Sequence, residues 1–174
     1  MAAPNVRSTF LGRLPTVLLL FVLVIGAIGI FVIRSSNGRS PVPSTVASKG
    51  RTVGAPLAEC PNSPNCVSST AADAEHAMEP LPWSGAADKG LDLLEKVCGE
   101  FPRTTVVARS EDYLHVEFRS AILGFVDDVE FRVDLEQGRI DFRSASRVGY
   151  SDLGVNRKRM TEIARRFELA KNEP

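Results

Sequence analysis

The first 58 residues of this 174-residue chain lack aspartate and glutamate altogether. Six of the 21 lysine and arginine residues lie in this segment, and all 21 acidic residues follow it, so that the remainder carries a formal charge of −6. A domain that binds nucleic acid broadly needs a basic surface, and the remainder has the opposite charge. We therefore expect no nucleic-acid partner. The basic N-terminal segment is better suited to anionic lipid headgroups.

The chain is also poor in the residues on which metal sites and many catalytic sites depend. It has three cysteines and two histidines, His76 and His115, and they lack the spacing of a zinc site. It contains no phosphate-binding loop or dinucleotide-binding motif, and none of its serines has the Gly-x-Ser-x-Gly context of a hydrolase. We therefore expect no metal ion and no other cofactor, and we favour a protein that is not an enzyme.

A long hydrophobic run without charge lies near the N-terminus. Arg13 and Arg34 bracket residues 14–33, in which Thr16 is the only polar side chain. A helix of this length spans about 30 Å, the hydrocarbon thickness of a bilayer, and it would have no polar face. We predict a transmembrane helix at 14–33, preceded by a basic flank at 1–13. A cleaved signal peptide and a buried soluble helix are the alternatives.

A linker and a pair of cysteines precede the folded domain. Residues 34–58 are rich in Ser, Pro, Gly and Val, a composition that predicts a flexible linker. We predict one compact domain at residues 59–174. Cys60 and Cys66 enclose a five-residue loop with two prolines. We favour a disulfide, with free thiols, a metal pair or a redox pair as alternatives. A disulfide requires an oxidising compartment, which favours the periplasmic side of the membrane.

Hydrophobic periodicity predicts the elements of the domain. One helix begins at Ser84 or Asp88 and ends near Val97, where Leu91, Leu94 and Cys98 make an apolar stripe. Alternating residues then predict three or four strands, and a second helix closes the chain. The predicted ranges are 104–109, 113–120, 127–135 and 139–147 for the strands and 155–170 for the helix. We expect an α+β fold, with an antiparallel sheet of three to four strands packed against two helices and preceded by the transmembrane helix.

The register of the last two strands follows from matching their apolar faces. Pairing Leu135 with Ile140 across a tight turn keeps the apolar side chains of both strands on one face. The same register places Asp128 opposite Arg147. The other face carries charged residues, including His115, and we expect this face to be exposed to solvent.

Three separated segments resemble a known family. They are Cys-Pro-Asn-Ser-Pro-Asn-Cys-Val-Ser-Ser at 60–69, Asp-Asp-Val-Glu-Phe at 127–131, and Arg-Ser-Ala-Ser-Arg-Val-Gly-Tyr-Ser-Asp-Leu-Gly-Val-Asn-Arg-Lys-Arg at 143–159. In this order they resemble the family named domain of unknown function 1499, over about residues 57–170. The resemblance implies a bacterial-envelope or plastid setting, and it implies no established activity.

The densest polar segment is residues 143–159, which connect the last strand to the last helix. A strand-to-helix junction with backbone N–H groups and arginines suits an anion such as phosphate or carboxylate. The candidate residues for binding an anionic ligand or an envelope protein partner are Arg143, Arg147, Asp152, Asn156, Arg157 and Arg159, together with Asp128. The alternative is that these residues only hold the last helix on the sheet.

Together these observations predict a membrane-anchored envelope protein whose domain is a non-enzymatic binding or structural module. One competing hypothesis is a hydrolase-like enzyme that uses Asp128 or Glu130, which would need a deep pocket and a raised carboxyl pKa. No catalytic set of residues is completed around these carboxylates. Another is a module that binds an apolar ligand or a lipid in a cavity between sheet and helices.

Overall fold

The structure is a computed structural model, and it describes residues 53–172. These residues form one antiparallel sheet of six strands and two helices. The strand order is β1-β6-β5-β4-β3, and β2 pairs with the far end of the same β6 edge that β1 occupies. In chain order the elements are β1 Cys66–Ser68, β2 Leu81–Pro82, α1 Ala87–Gly99, β3 Thr104–Arg109, β4 Tyr113–Arg119, β5 Val126–Asp134, β6 Arg139–Ser146 and α2 Val155–Lys171.

The predicted fold is wrong in the number of strands. The sheet has six strands and not three to four, because β1 and β2 are three and two residues long and strands this short show no alternation in sequence. The predicted fold also included a membrane helix, but no helix within residues 53–172 is long and apolar enough to cross a bilayer. The predicted flank at 1–13, the predicted span at 14–33 and most of the linker at 34–58 lie outside the described residues.

The pairing of β5 with β6 differs from the predicted register by two residues. Val133 lies opposite Ile140 and Phe131 opposite Phe142, whereas the prediction placed Leu135 opposite Ile140. Residues 135–138 form a turn of four residues in place of the tight turn, and this leaves Leu135 exposed. A shift of two residues returns every side chain to the same face, so the two faces are as predicted although the pairs are not.

One face of the sheet forms the apolar core with both helices. The stripe Leu91, Leu94 and Cys98 of α1 is buried there as predicted. Trp83 covers the edge of this core, and its ring centroid lies 5.7 Å from that of Phe167 in α2. The core also includes Leu114, Val116, Phe131, Ile140, Phe142, Met160 and Ile163. Because side chains alternate along a strand, burying these residues directs the charged residues between them to the opposite face.

Candidate functional site

The charged face of the sheet is buried, which contradicts the expectation that it faces solvent. His115 and Glu130 are each only 1% exposed. Leu57, from the segment before β1, packs against Ala108 and Tyr113 on this face. Burying charges is costly unless each one is paired and hydrogen-bonded, so the partners of these residues decide what the face can do.

Asp128 is the centre of one charged cluster. Its carboxylate accepts hydrogen bonds from His115 Nε2 at 2.7 Å and from Arg147 at 2.7 and 2.8 Å, and Arg147 also donates to Glu117. Burial alone would raise the pKa of Asp128, but the bonds from His115 and Arg147 lower that pKa to about 2. The bonds to Asp128 raise the pKa of Arg147 in turn. A carboxyl this acidic is ionised at neutral pH and is unsuited to general acid catalysis.

Glu130 is the centre of a second charged cluster. The Tyr113 hydroxyl donates to one carboxylate oxygen at 2.9 Å, and Arg143 donates to the other at 3.2 Å. Two of the clefts formed by the described residues, of about 400 and 500 Å³, are lined by residues other than Asp128 and Glu130. For Asp128, the lowered pKa is the opposite of the raised carboxyl pKa that the hydrolase hypothesis required.

The candidate residues of the predicted anion site lie on both sides of the sheet. Arg143, Arg147 and Asp128 belong to the two buried charged clusters. The remaining four, Asp152, Asn156, Arg157 and Arg159, lie in or next to the first turn of α2. The structure thus brings the seven residues together as two separate groups.

The two arginines on α2 are engaged within the protein. Arg157 donates to the carbonyl oxygens of Ala77 at 3.0 Å and of Glu75 at 2.6 Å. Arg159 donates to Asp127 at 2.6 Å, and its guanidinium lies 4.8 Å from the ring centroid of Phe118. All four arginines of the predicted site therefore have protein partners. A role for them in binding a free anion stays a prediction.

Asn156 is the hub of a buried network that fixes residues 147–154, the loop between β6 and α2. Its Nδ2 donates to the carbonyl oxygen of Asn65 at 2.9 Å and to Asp152 at 2.8 Å. Its Oδ1 accepts from the Ser144 hydroxyl at 2.5 Å. The Asn65 side chain extends this network by donating to the carbonyl oxygen of Gly149 at 2.6 Å. The loop is therefore held from the sheet, from the helix and from the segment before β1.

The predicted disulfide between Cys60 and Cys66 is confirmed, with a Cα–Cα distance of 5.7 Å. Asn65 is the neighbour of Cys66, so the bridge restrains the residue that holds Gly149. A disulfide stabilises chiefly by restricting the unfolded chain, and this one also limits the freedom of Asn65. The third cysteine, Cys98, is buried in the core as predicted, and burial raises its pKa to about 12.

The loop that this network holds exposes apolar side chains. Tyr150 is 74% exposed and Leu153 is 86% exposed. Leu153 has a φ of 56°, a left-handed conformation that costs a leucine roughly 1–2 kcal/mol. Asp152 supports it by accepting hydrogen bonds from the backbone N–H groups of Gly154 and Asn156. Strained backbone that the surrounding structure holds in place is concentrated at functional sites.

A second apolar loop lies at the same end of the sheet. Residues 120–125 connect β4 to β5, and the backbone N–H of Arg147 donates to the carbonyl oxygen of Val126 where that loop ends. Ile122, in the middle of this loop, is 80% exposed. We call residues 120–125 and 147–155 together the apolar end.

Basic side chains border the apolar end. Arg103 donates to the carbonyl oxygen of Arg119, which is followed directly by the 120–125 loop, and Lys158 is exposed on the first turn of α2. The turns at the other end of the sheet carry acidic residues, namely Glu111, Asp112, Asp134 and Glu136. Basic side chains therefore border the apolar end, and a group of acidic side chains lies at the opposite end of the sheet.

Sequence reasoning missed the apolar end because it singled out the charged residues of 143–159. A signal was nevertheless present, since Tyr150 and Leu153 are large apolar residues among glycine, serine and aspartate. Such residues have no place in a periodic core stripe. The contribution of Ile122 required the strand order, which brings the two loops to one end.

Comparison with known proteins gives one finding. A family model described as "Protein of unknown function (DUF1499)" matches residues 56–167, a range that includes both charged clusters and the apolar end. No curated protein and no solved structure matches the chain.

Proposed function

The chain belongs to the DUF1499 family of proteins of unknown function, and we propose that its domain is a non-enzymatic module that docks on a lipid bilayer through the apolar end. The observation that carries this proposal is the exposure of Ile122, Tyr150 and Leu153 on two loops at one end of the sheet. These are the three most exposed large apolar residues in the described part of the chain, and exposed apolar surface that is concentrated in one place marks interaction sites.

The loops that present these side chains are held in place before any contact is made. Asn65 and Asn156 fix the loop of Tyr150 and Leu153 through buried hydrogen bonds. Docking then costs little conformational entropy. Transfer of three such side chains out of water would contribute roughly 4 kcal/mol, which corresponds to a weak and reversible attachment with a Kd of about 1 mM.

Several features favour a lipid surface over a protein groove as the occupant. Side chains with exposed fractions of 74–86% protrude, whereas protein hot spots lie in well-packed pockets at the centre of a patch. Tyrosine is enriched at the boundary between headgroups and acyl chains. The bordering residues Arg103, Arg119 and Lys158 suit lipid phosphate.

The proposed location is the bilayer surface that faces an oxidising compartment. The Cys60–Cys66 disulfide supports this, because such bonds persist outside the reducing cytoplasm. A periplasmic location, which the sequence favours, agrees with this proposal.

A local fluorescence probe tests the docking. The full chain is labelled with an environment-sensitive dye in the variants Ile122→Cys and Tyr150→Cys, and Leu135→Cys serves as the matched control because it is also exposed but lies at the acidic end. Labelling is selective, since Cys60 and Cys66 are bonded and Cys98 is buried. The vesicles contain phosphatidylcholine with phosphatidylglycerol.

We expect a blue shift and increased emission for the probes at positions 122 and 150 and no change at position 135. An equal response at position 135 would show general adsorption. Unchanged emission at 122 and 150 would also contradict docking by the apolar end. Because the readout is local, attachment of any other part of the chain to the vesicle leaves the comparison valid.

A further inference from the structure

We propose a second binding site, for an alkylammonium cation, in the acidic cleft at the opposite end of the sheet. The cleft has a volume of about 500 Å³ and lies between the β3–β4 turn, the β5–β6 turn and the start of α1. The residues of this cleft differ from those of the apolar end, so binding here does not depend on lipid docking.

Three of the four carboxylates that line the cleft have no ion pair of the kind found on the charged face. There, Asp128 pairs with Arg147 and Glu130 with Arg143. In the cleft, by contrast, three carboxylates form no ion pair with any residue in 53–172. They are those of Glu111, Asp112 and Glu136. Arg132 lines the cleft, but it is already engaged by Asp134 and Asp141.

Asp112 supplies an independent sign of a missing partner. Asp112 lines the cleft and is only 7% exposed. One carboxylate oxygen accepts a hydrogen bond from the backbone N–H of Gly54 at 2.7 Å. The other is buried and has no hydrogen-bond donor among the described residues. A buried oxygen without a donor is costly, and a bound cation with N–H groups would satisfy it.

The shape of the cleft selects the kind of cation. Within residues 53–172 no group of three or more carboxylate, histidine or cysteine side chains could hold a metal ion, and a bare ion needs its oxygen ligands within about 2.6 Å. A longer organic cation can reach carboxylates that lie apart. Val133 and Leu135 line the cleft as well, and apolar walls of this kind suit an alkyl chain. The ligand class is therefore an alkyl chain that ends in ammonium.

Amide NMR of the full chain, titrated with cadaverine, tests this site. We expect a saturable shift of the Gly54 amide, which is bonded to Asp112, and no shift with the uncharged diol of the same length. The double variant Glu111→Gln, Glu136→Gln should weaken binding by about tenfold, since two exposed ion pairs are lost. Both residues are exposed, so the variant should fold.

Glu79→Gln is the matched control, because Glu79 is exposed and lies outside the cleft. Equal weakening in Glu79→Gln, or a shift that rises linearly without saturation, would reduce the effect to general charge screening and overturn the proposal. A second titration with N-acetyl-lysine methylamide identifies the source of the ammonium. Tighter binding of cadaverine indicates a free diamine, and tighter binding of the lysine derivative indicates a peptide side chain.

Discussion

Replacing Leu153 by glycine should stabilise the protein while weakening its docking. Leu153 has a φ of 56° and is 86% exposed, so its side chain contributes little packing and its backbone is strained. Relief of that strain is worth roughly 1–2 kcal/mol. The greater freedom of glycine in the unfolded chain removes about 0.5–1 kcal/mol of this gain. The free energy of unfolding should therefore rise by about 0.5 kcal/mol.

The matched control is Leu169→Gly. Leu169 is also exposed, but it lies within α2, where glycine costs about 1 kcal/mol relative to a good helix former. The two substitutions remove the same side chain from the surface and should change stability with opposite signs. This contrast separates backbone strain at Leu153 from a general effect of glycine.

Urea unfolding followed by tryptophan fluorescence measures both variants. Trp83 is the single tryptophan, and it packs against Phe167 of α2, so its emission should report loss of the core. In the vesicle experiment Leu153→Gly should reduce the response of the probe at position 150. If Leu153→Gly destabilises the protein as much as Leu169→Gly does, the backbone of Leu153 is not strained.

Three further predictions concern the framework around the loop. Asn156→Ala leaves several buried groups without partners, so it should lower the free energy of unfolding, measured by urea titration, by about 3–4 kcal/mol. The control Thr161→Ala lies on the exposed side of α2 and should lower it by less than about 1 kcal/mol. The pKa of Asp128 is lowered to about 2, so its stabilisation of about 2 kcal/mol is present above its unfolded pKa and is lost as the pH falls towards 2. The stability difference between wild type and Asp128→Asn should therefore shrink in acid, and a constant difference would contradict the pairing. Replacing Cys60 and Cys66 by serine should lower the free energy of unfolding by about 2 kcal/mol and accelerate hydrogen exchange in residues 147–155. Unchanged exchange there would show that the disulfide does not restrain the loop.

The features of the fold that were predictable are those that local patterns determine. Alternation placed Phe131 and Phe142 on the core face even with the wrong register, because a slip of two residues keeps the face. The disulfide was predictable because Cys60 and Cys66 are close in sequence and their loop contains two prolines. The strands β1 and β2 were not, since they form by pairing with β6 and carry no periodic signal of their own.

The buried charged face could not be predicted from alternation. The sequence of a strand shows the same alternation of polar and apolar residues whether its polar residues face water or pair with arginines on the next strand. The difference depends on cross-strand neighbours such as Glu130 and Arg143, which the register determines. The apolar end depends in the same way on topology, because the loops of Ile122 and Tyr150 lie at the same end of the sheet only through the pairing of β5 with β6.

Docking by the apolar end predicts a definite depth for its side chains in a bilayer. The full chain carries a fluorophore at Tyr150→Cys, or at Leu135→Cys as the control, and vesicles contain lipids with a nitroxide quencher either at the headgroup or along the acyl chain. We expect the fluorophore at position 150 to be quenched from the upper acyl chain, at a depth of about 5–10 Å, and the one at position 135 to be quenched from neither depth. Quenching of position 150 from neither depth, or equal quenching of both positions, would contradict docking by the apolar end.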